Sequence, residues 1–452
     1  MVCPVAHRHV SPHTNMDEEV ESHGSFDWDA SAQRMANLFG LPFEEAQRLV
    51  AQASSMKEEG AALQGLSKAY AGDQETAAWT PGMGIGSKGT EVPMLFCKSG
   101  LEAASSGRDK RLVTAYVPSE EEVIACLCIL KQDKDNRLER RIEVETRVFN
   151  ELNTVSTPHL LAYYGKEERQ NQDGSSLTVL YMEHARGSDA LLPLEVRGTP
   201  LRKELLLLVM RCALETLAAA HEIGVSHRDI KPANIVFKLK PDTPVTSSRL
   251  EPLCTNLGHL PSNDQTEKIL EIEKILMEQE VVSASLIDWG LARTRRSTPQ
   301  EIAEFCGTYD YMAPDLFTDF GPNPQAKAAD LYALGTTGFM LAYGTMVREP
   351  TSEFSNNQAW NVWKDVALSV QSLSDDVLKM QYCEKAQVDS KQWTHFDTLV
   401  FTMLSPAPDK RGTAQSHLDM VNRLGMTLFS PDHEPVKASH SRNGSYLCCT
   451  IS

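Results

Sequence analysis

The spacing of apolar and polar residues divides the chain into a strand-rich part and a helix-rich part. Between Glu91 and Met182, short runs of Val, Ile, Leu and Cys alternate with turns. Strands are predicted at 93–97, 112–117, 123–130 and 177–182. A helix is predicted from about Arg137 to Leu152, and the spacing is mainly helical from Leu201 onward. The order predicts an α+β fold with a small sheet lobe, a hinge near Gly187 and a larger helical lobe.

The same pattern sets the expected segment boundaries. Residues 1–28 lack periodicity and predict a disordered leader, whereas 29–75 have helical spacing and predict a helical appendage. We expect the appendage to pack on the main domain rather than on a partner helix. The sheet lobe is expected at 91–186, the helical lobe at 187–430 with an insert at 238–281, and a flexible tail at 431–452. The insert contains one predicted acidic helix, which we expect to rest on the surface.

Composition narrows the class of protein. The 452 residues include 44 Lys and Arg against 61 Asp and Glu, a net charge of −17 that opposes binding to nucleic acid. Ten scattered cysteines, a start without the apolar core of a secretory signal and the lack of a bilayer-length apolar run predict a cytoplasmic protein with reduced thiols. Cys126 and Cys128 share a predicted strand, so we expect both to be buried on one face rather than to bind metal.

The segment from His227 to Asn234, His-Arg-Asp-Ile-Lys-Pro-Ala-Asn, resembles the catalytic loop of the eukaryotic protein kinases. The resemblance implies the bilobal kinase fold, with ATP and Mg²⁺ as cofactors. It also implies that Asp229 accepts a proton from an attacking hydroxyl, Lys231 neutralises charge on the transferring phosphoryl and Asn234 binds Mg²⁺. His227 and Arg228 would then have structural and regulatory roles.

Further segments of the helical part are similar to the same family. Leu286-Ile287-Asp288-Trp289-Gly290 resembles the metal-binding Asp-Phe-Gly, with Asp288 as the ligand and Trp in place of Phe. The segment 306–315 resembles the end of an activation segment; it contains Thr308 and ends in Asp315, which is expected to pair with Arg411. Asp330 matches the residue that braces the catalytic loop.

In the sheet lobe the family pairs a strand lysine with a helix glutamate to position the nucleotide phosphates. Lys131 ends the strand 123–130, and Glu145 fits the helix pattern best, although Glu143 is two residues away. Ile129 occupies a position where the family usually has Ala beneath the adenine.

Two registers are open for the phosphate-binding loop. Gly84-Ile85-Gly86-Ser87-Lys88-Gly89 matches G-x-G-x-x-G, but a single match of this kind is weak and lies more than forty residues before Lys131. We prefer the loop 98–107, with Gly100 and Gly107, because it makes 91–97, 112–117 and 123–130 three consecutive strands.

The segment 180–189 resembles the hinge that binds adenine. The resemblance implies that Glu183 and Ala185 offer backbone groups to the base and that Asp189 binds a ribose hydroxyl. His184 is expected to be open to solvent.

These residues predict a Ser/Thr protein kinase, since Lys231 and Thr308 are typical of kinases that modify Ser and Thr rather than Tyr. The expected partner is a protein substrate with such a hydroxyl. The alternatives are a non-catalytic scaffold with a kinase fold, suggested by the glycine-poor loop and Ile129, and a small-molecule phosphotransferase. Four retained residues argue against the scaffold, which has no need of all of them: Lys131, Asp229, Asn234 and Asp288.

Two further expectations concern regulation and location. Glu304 lies two residues before Cys306, where many kinases with an arginine like Arg228 carry a phosphothreonine, so its carboxylate is expected to pair with Arg228. This pairing predicts basal activity, to which phosphorylation of Thr294, Ser297 or Thr298 would add a further step. The alternative is that Glu304 is a solvated loop residue and that Thr298, which precedes Pro299, is the switch. The ending Cys449-Thr450-Ile451-Ser452 matches a farnesylation signal, and Cys448 can add a palmitoyl group, which predicts a membrane tether.

Overall fold

The computed structural model describes most of the chain between residues 27 and 431. The described ranges are 27–59, 64–71, 79–98, 110–130, 136–170, 176–191, 200–242, 281–317, 326–349 and 358–431. The predicted insert helix, the tail after 431 and nearly all of the predicted leader lie outside them, as do Lys131, Gly100, Gly107, Cys448 and Cys449.

A six-stranded antiparallel sheet forms the first lobe. Its strands are β1 (Thr80–Ile85), β2 (Glu91–Lys98), β3 (Lys110–Val117), β4 (Glu122–Leu130), β5 (Tyr163–Gln170) and β6 (Ser176–Glu183). The order across the sheet is β1-β2-β3-β4-β6-β5, and helix α4 (Asn136–Thr154) follows β4 in the chain. The four predicted strands and the predicted helix are therefore present with slightly longer bounds.

The sheet curls until its two edge strands meet. The Arg169 guanidinium of β5 donates to the main-chain oxygen of Met83 in β1, and a Cβ on Gly165 would approach Ile85 to 3.2 Å. Because side chains alternate along a strand, Met94, Phe96, Cys126 and Cys128 all point into the interior of this curl. Both cysteines are buried and free, as the sequence predicted. Burial raises the pKa of Cys128 to about 12.

Three helices at the start of the chain cover the sheet. They are α1 (Trp28–Phe39), α2 (Phe43–Glu59) and α3 (Gln64–Ala71). Met35 and Val50 pack with Leu95, Tyr116 and Val123 on the outer face of the sheet. Helix α3 lies against β1 and β2 with its apolar residues in the interior cluster. The appendage therefore packs on the main domain, as expected.

The second lobe is mainly helical. Its helices are α5 (Lys203–Glu222), α6 (Pro299–Ala303), α7 (Ala326–Tyr343), α8 (Ala359–Gln371), α9 (Asp375–Ala386), α10 (His395–Met403) and α11 (Ala414–Leu424). A small sheet of β7 (Arg186–Asp189), β8 (Ile235–Leu239) and β9 (Val281–Leu286) lies where the chain enters this lobe. One apolar cluster extends from Ile129 and Val148 through Leu206 to Leu334, so the two lobes share a core. No helix in the described ranges is long and apolar enough to cross a bilayer.

Candidate active site

A buried aspartate of α7 holds the catalytic-loop segment. The Asp330 carboxylate accepts hydrogen bonds from the backbone N–H of His227 at 2.8 Å and of Arg228 at 2.7 Å, and its Oδ2 lies 2.9 Å from His221 Nε2. Arg228 has a φ of +72°, a conformation that a non-glycine residue adopts only when its surroundings fix it. The bracing role predicted for Asp330 is therefore present. His221 was not predicted, and its place in the last turn of α5 is the only signal for it.

Three polar side chains converge on Asp229. Thr308 Oγ1 donates to Asp229 Oδ1 at 2.8 Å, and Lys231 Nζ lies 3.1 Å from Asp229 Oδ2 and 2.9 Å from Thr308 Oγ1. Asn234 Nδ2 donates to the Asp229 carbonyl at 2.8 Å and to its Oδ2 at 3.1 Å. Asp229 is 7% exposed, so its carboxylate is oriented by these partners and still reaches the surface. The predicted base, its lysine, the amide and Thr308 thus form one site.

The strand β9 delivers Asp288 to the same site. The Ile287 N–H donates to the Asn234 carbonyl at 3.0 Å, which sets β9 beside the end of the catalytic loop. Asp288 has φ +62° and ψ +60°, a left-handed turn that redirects the chain after the strand. Trp289 is fully buried, its ring centroid lies 4.5 Å from that of His227, and its Nε1–H donates to the Leu286 carbonyl at 3.1 Å. The indole therefore fits inward at the position where Phe is usual.

Helix α4 presents one buried carboxylate towards the lobe interior. Glu145 is 2% exposed, whereas Glu143 is exposed, which favours Glu145 over its neighbour as the predicted partner of Lys131. Lys131 lies outside the described residues, so that ion pair stays a prediction. Ile129 is fully buried in the core shared with α4.

The hinge segment differs from the expectation at His184, whereas the backbone contacts of Glu183 and Ala185 with adenine stay predictions. The Ala185 carbonyl accepts a hydrogen bond from Leu239 N–H at 3.0 Å. The Ala185 N–H is therefore the backbone group of this residue that would bind adenine. His184 is half-buried rather than open to solvent: its Nδ1 accepts from Arg186 N–H at 3.0 Å, and burial together with the Arg186 charge lowers the pKa of His184 to about 4. Glu183 pairs with Lys238, and Asp189 Oδ1 accepts from Leu191 N–H at 3.0 Å.

The G-x-G-x-x-G segment is a structural turn. It joins β1 to β2, and both the N–H and the hydroxyl of Ser87 donate to the Glu120 carboxylate, at 2.7 and 2.8 Å. A carboxylate in this position repels phosphate. The strands β2, β3 and β4 follow the preferred register, and the loop 99–109 between β2 and β3 lies outside the described residues.

The prediction that Arg228 pairs with the Glu304 carboxylate is wrong, because Arg228 binds main-chain oxygens instead. The Arg228 guanidinium donates to the main-chain carbonyl of Glu301 at 3.1 Å and to the carbonyl of Glu304. Arg293 lies close enough that the Arg228 charge, together with burial as the larger cause, lowers the pKa of Arg293. The sequence placed the correct segment beside Arg228, but its spacing could not distinguish a side-chain oxygen from a main-chain one.

The pair between Asp315 and Arg411 is present. Arg411 is fully buried, and its Nη2 donates to Asp315 Oδ1 and, at 3.1 Å, to the Pro406 carbonyl. Its Nε donates to the Ser405 carbonyl at 2.8 Å and its Nη1 to the Ala328 carbonyl at 3.2 Å. This planar, multiply bonded side chain anchors the end of the activation segment to the helical lobe.

The donor set suits Mg²⁺ and a nucleotide. Asp288 supplies carboxylate oxygens and Asn234 an amide oxygen, the hard ligands that Mg²⁺ prefers when it also binds phosphates. The amide nitrogen of Asn234 is used by Asp229, so the oxygen is the atom that remains for a cation. These two residues would hold the metal, and Lys231 is placed to contact the transferring phosphoryl.

Comparison with known proteins agrees with this geometry. The family model described as protein kinase domain matches residues 107–246 and 270–421, and the chain therefore belongs to the protein kinase family. Human calcium/calmodulin-dependent protein kinase type 1B is 26% identical over 335 residues, 73% of this chain and 76% of its own. The probable serine/threonine-protein kinase pknA2 of Bifidobacterium longum is 26% identical over 52% of this chain, which spans only 24% of that protein. PkaB of Streptomyces coelicolor, a serine/threonine-protein kinase, is 30% identical over 38% of this chain and 32% of its own.

Those relatives whose names state a specificity are serine/threonine kinases, and the chain spans less than half the length of each of them. The interrupted family match coincides with the predicted insert, because residues 247–269 are unmatched.

Proposed function

We propose that this chain transfers the γ-phosphoryl group of Mg-ATP to serine and threonine hydroxyls of proteins. The observation that carries the proposal is the orientation of Asp229 by Thr308, Lys231 and Asn234 within 3.1 Å. A bound Mg²⁺ supplies neutralisation of the phosphate charge. Asp229 accepts the proton of the substrate hydroxyl, and Lys231 stabilises the negative charge of the phosphoryl oxygens during transfer.

The bond between Thr308 and Asp229 supports a protein substrate. Thr308 belongs to the segment 306–315 and is bonded to Asp229, so this segment lies beside the proposed base. A substrate peptide would bind on the surface that this segment forms. Tyr309, Phe305 and Trp360 form an aromatic surface next to it, with Phe305 39% exposed.

A transfer assay with [γ-³²P]ATP tests the proposal. Wild type should phosphorylate itself or a basic test protein, and Asp229→Asn should lose the activity by orders of magnitude because the proton acceptor is removed. Asp376→Asn, a surface change in the first turn of α9, is the matched control and should be unaffected. Binding of ATP by wild type without any transfer would instead favour the non-catalytic scaffold.

We also propose that the tail tethers the kinase to a membrane through prenylation of Cys449, with Cys448 as a second acylation site. The support for prenylation is the C-terminal tetrapeptide pattern alone. Cys448 is included because one lipid chain binds membranes only marginally and needs a second signal. Fractionation of cells that express wild type or Cys449→Ser tests it. Equal distributions would disprove the tether.

A further inference from the structure

One carboxylate connects three elements around the active site. Glu301, in the short helix α6, places its Oε2 3.0 Å from Arg147 Nη2 of α4 and 2.9 Å from the backbone N–H of Thr298. Its main-chain carbonyl accepts the hydrogen bond from Arg228 of the catalytic loop. The activation segment is therefore joined to the sheet lobe through a side chain and to the catalytic loop through the same residue's backbone.

The local sequence fixes Glu301 in this position. Thr298 caps α6: its hydroxyl accepts from the Glu301 N–H at 3.2 Å while the Glu301 carboxylate accepts from the Thr298 N–H, a reciprocal capping box. Pro299 follows at the first helical position, where a preset φ favours the turn. Glu301 thus has little rotational freedom, and its charge is aimed at α4 before any modification of the segment.

Arg147 holds the helix that carries the buried glutamate. Two residues along an α-helix correspond to a rotation of roughly 200°, so Glu145 and Arg147 leave α4 in nearly opposite directions. Glu145 is directed into the protein, and Arg147 is directed to the activation segment. The pair with Glu301 is only 26% and 17% exposed at its two side chains, so solvent screens it less than an ordinary surface pair.

We propose that Glu301 and Arg147 are positioning residues that hold α4 and the catalytic loop in the transfer-competent arrangement without phosphorylation of the activation segment. This inference rests on the proposed kinase function. Glu301 performs the role that the sequence assigned to Glu304, but it uses an arginine of α4 for its carboxylate and Arg228 for its carbonyl. Glu304 itself contacts Arg228 through its carbonyl, and its side chain is exposed.

The experiment uses full-length protein made in bacteria, treated with phosphatase and verified as unmodified by mass spectrometry. Glu301→Ala and Arg147→Ala should each lower kcat/KM for ATP about fivefold, which is the size of coupling that a partly exposed ion pair contributes. The double variant should lose no more than either single one, because both remove the same bond. Glu301→Gln, which keeps an oxygen for the Thr298 N–H but no charge for Arg147, should fall between wild type and Glu301→Ala.

Glu349→Gln is the matched control, since the Glu349 carboxylate forms an exposed pair with Lys385 at 2.8 Å far from these elements. Its kinetics should equal those of wild type. Hydrogen exchange gives a readout independent of activity: Arg147→Ala should increase amide exchange in 299–304. Additive kinetic losses, unchanged exchange, or a wild type that is inactive until an upstream kinase modifies it would each overturn the proposal. If wild type transfers no phosphate in any state, the proposed kinase function is refuted. The hydrogen-exchange result then tests the contact between Glu301 and Arg147 independently: increased exchange in Arg147→Ala supports it, and unchanged exchange refutes it.

Discussion

Replacing Asp330 by asparagine should uncouple the catalytic loop from the helical lobe while changing little in shape. The carboxylate accepts two backbone N–H bonds and lies within hydrogen-bond distance of His221, and it is 1% exposed. An amide has one accepting oxygen, and its NH₂ group would face one of these donors. A lost bond to a charged group costs about 1.5–3 kcal/mol, and a buried N–H without a partner adds about 1–3 kcal/mol.

We therefore expect Asp330→Asn to lower the free energy of unfolding by about 3 kcal/mol, the lower part of that combined range. Arg228 would lose the bond that fixes its positive φ, and Asp229 follows it directly in the chain. If about 1.4 kcal/mol of the loss appears in the positioning of Asp229, the transfer rate falls about tenfold. The KM for ATP should change less, because Asp330 is not among the residues predicted to hold the nucleotide.

Urea unfolding followed by tryptophan fluorescence, together with steady-state kinetics, measures both effects. Asp376→Asn again serves as the control, since this carboxylate is at the surface in the first turn of α9. Wild-type kcat with a wild-type unfolding midpoint in Asp330→Asn would refute the argument that these hydrogen bonds set the loop. A stability loss with unchanged kcat would show that the loop is positioned by other contacts.

For two other substitutions the structure determines the direction of the change in stability. Arg411→Met should lower the free energy of unfolding, measured in urea, by about 3–5 kcal/mol because the buried Asp315 carboxylate loses its cation. Adding Asp315→Leu should recover much of this loss. A smaller loss in Arg411→Met alone would contradict the argument. Contacts with the Cys212 sulfur and the Glu215 carboxylate raise the pKa of His159 from 6.5 to about 9, so its stabilising charge is fully present below pH 6.5 and is lost as pH rises through about 9. His159→Gln should consequently be less stable than wild type at acidic pH, as measured by melting temperature, and the difference should vanish above pH 9; a constant difference would contradict the assignment.

The catalytic-loop segment and the brace at Asp330 could be located from sequence because the residues around them resemble those of the protein kinases. The structure brings Asp229, Lys231 and Asn234 together as that resemblance implies, whereas the metal-binding roles of Asn234 and Asp288 stay predictions. The strands β2 to β4 were predictable for a different reason. Their apolar runs are buried on one or both faces, which leaves a direct pattern in the sequence.

The features that sequence could not predict depend on tertiary contacts. Strand β1 reads Thr-Pro-Gly-Met-Gly-Ile, a poor strand sequence, and it forms because it pairs with β2 and meets β5 across the curl. The low pKa of His184 depends on burial, which the residues around it in the sequence do not reveal. Spacing from Cys306 selected Glu304, and only the tertiary contacts show that Glu301 is the residue whose carboxylate binds an arginine.

The closed curl of the sheet also determines which length of polypeptide can be produced or grafted as a unit. The match to the protein kinase family model begins at residue 107, between β2 and β3. A recombinant fragment that starts at that boundary would lack β1, β2 and the three helices. It would expose β3 as an unpaired edge strand, together with the apolar surface around Val113. A fragment that keeps the closed sheet and the helices packed on it therefore has to include α1, which begins about eighty residues before the family match.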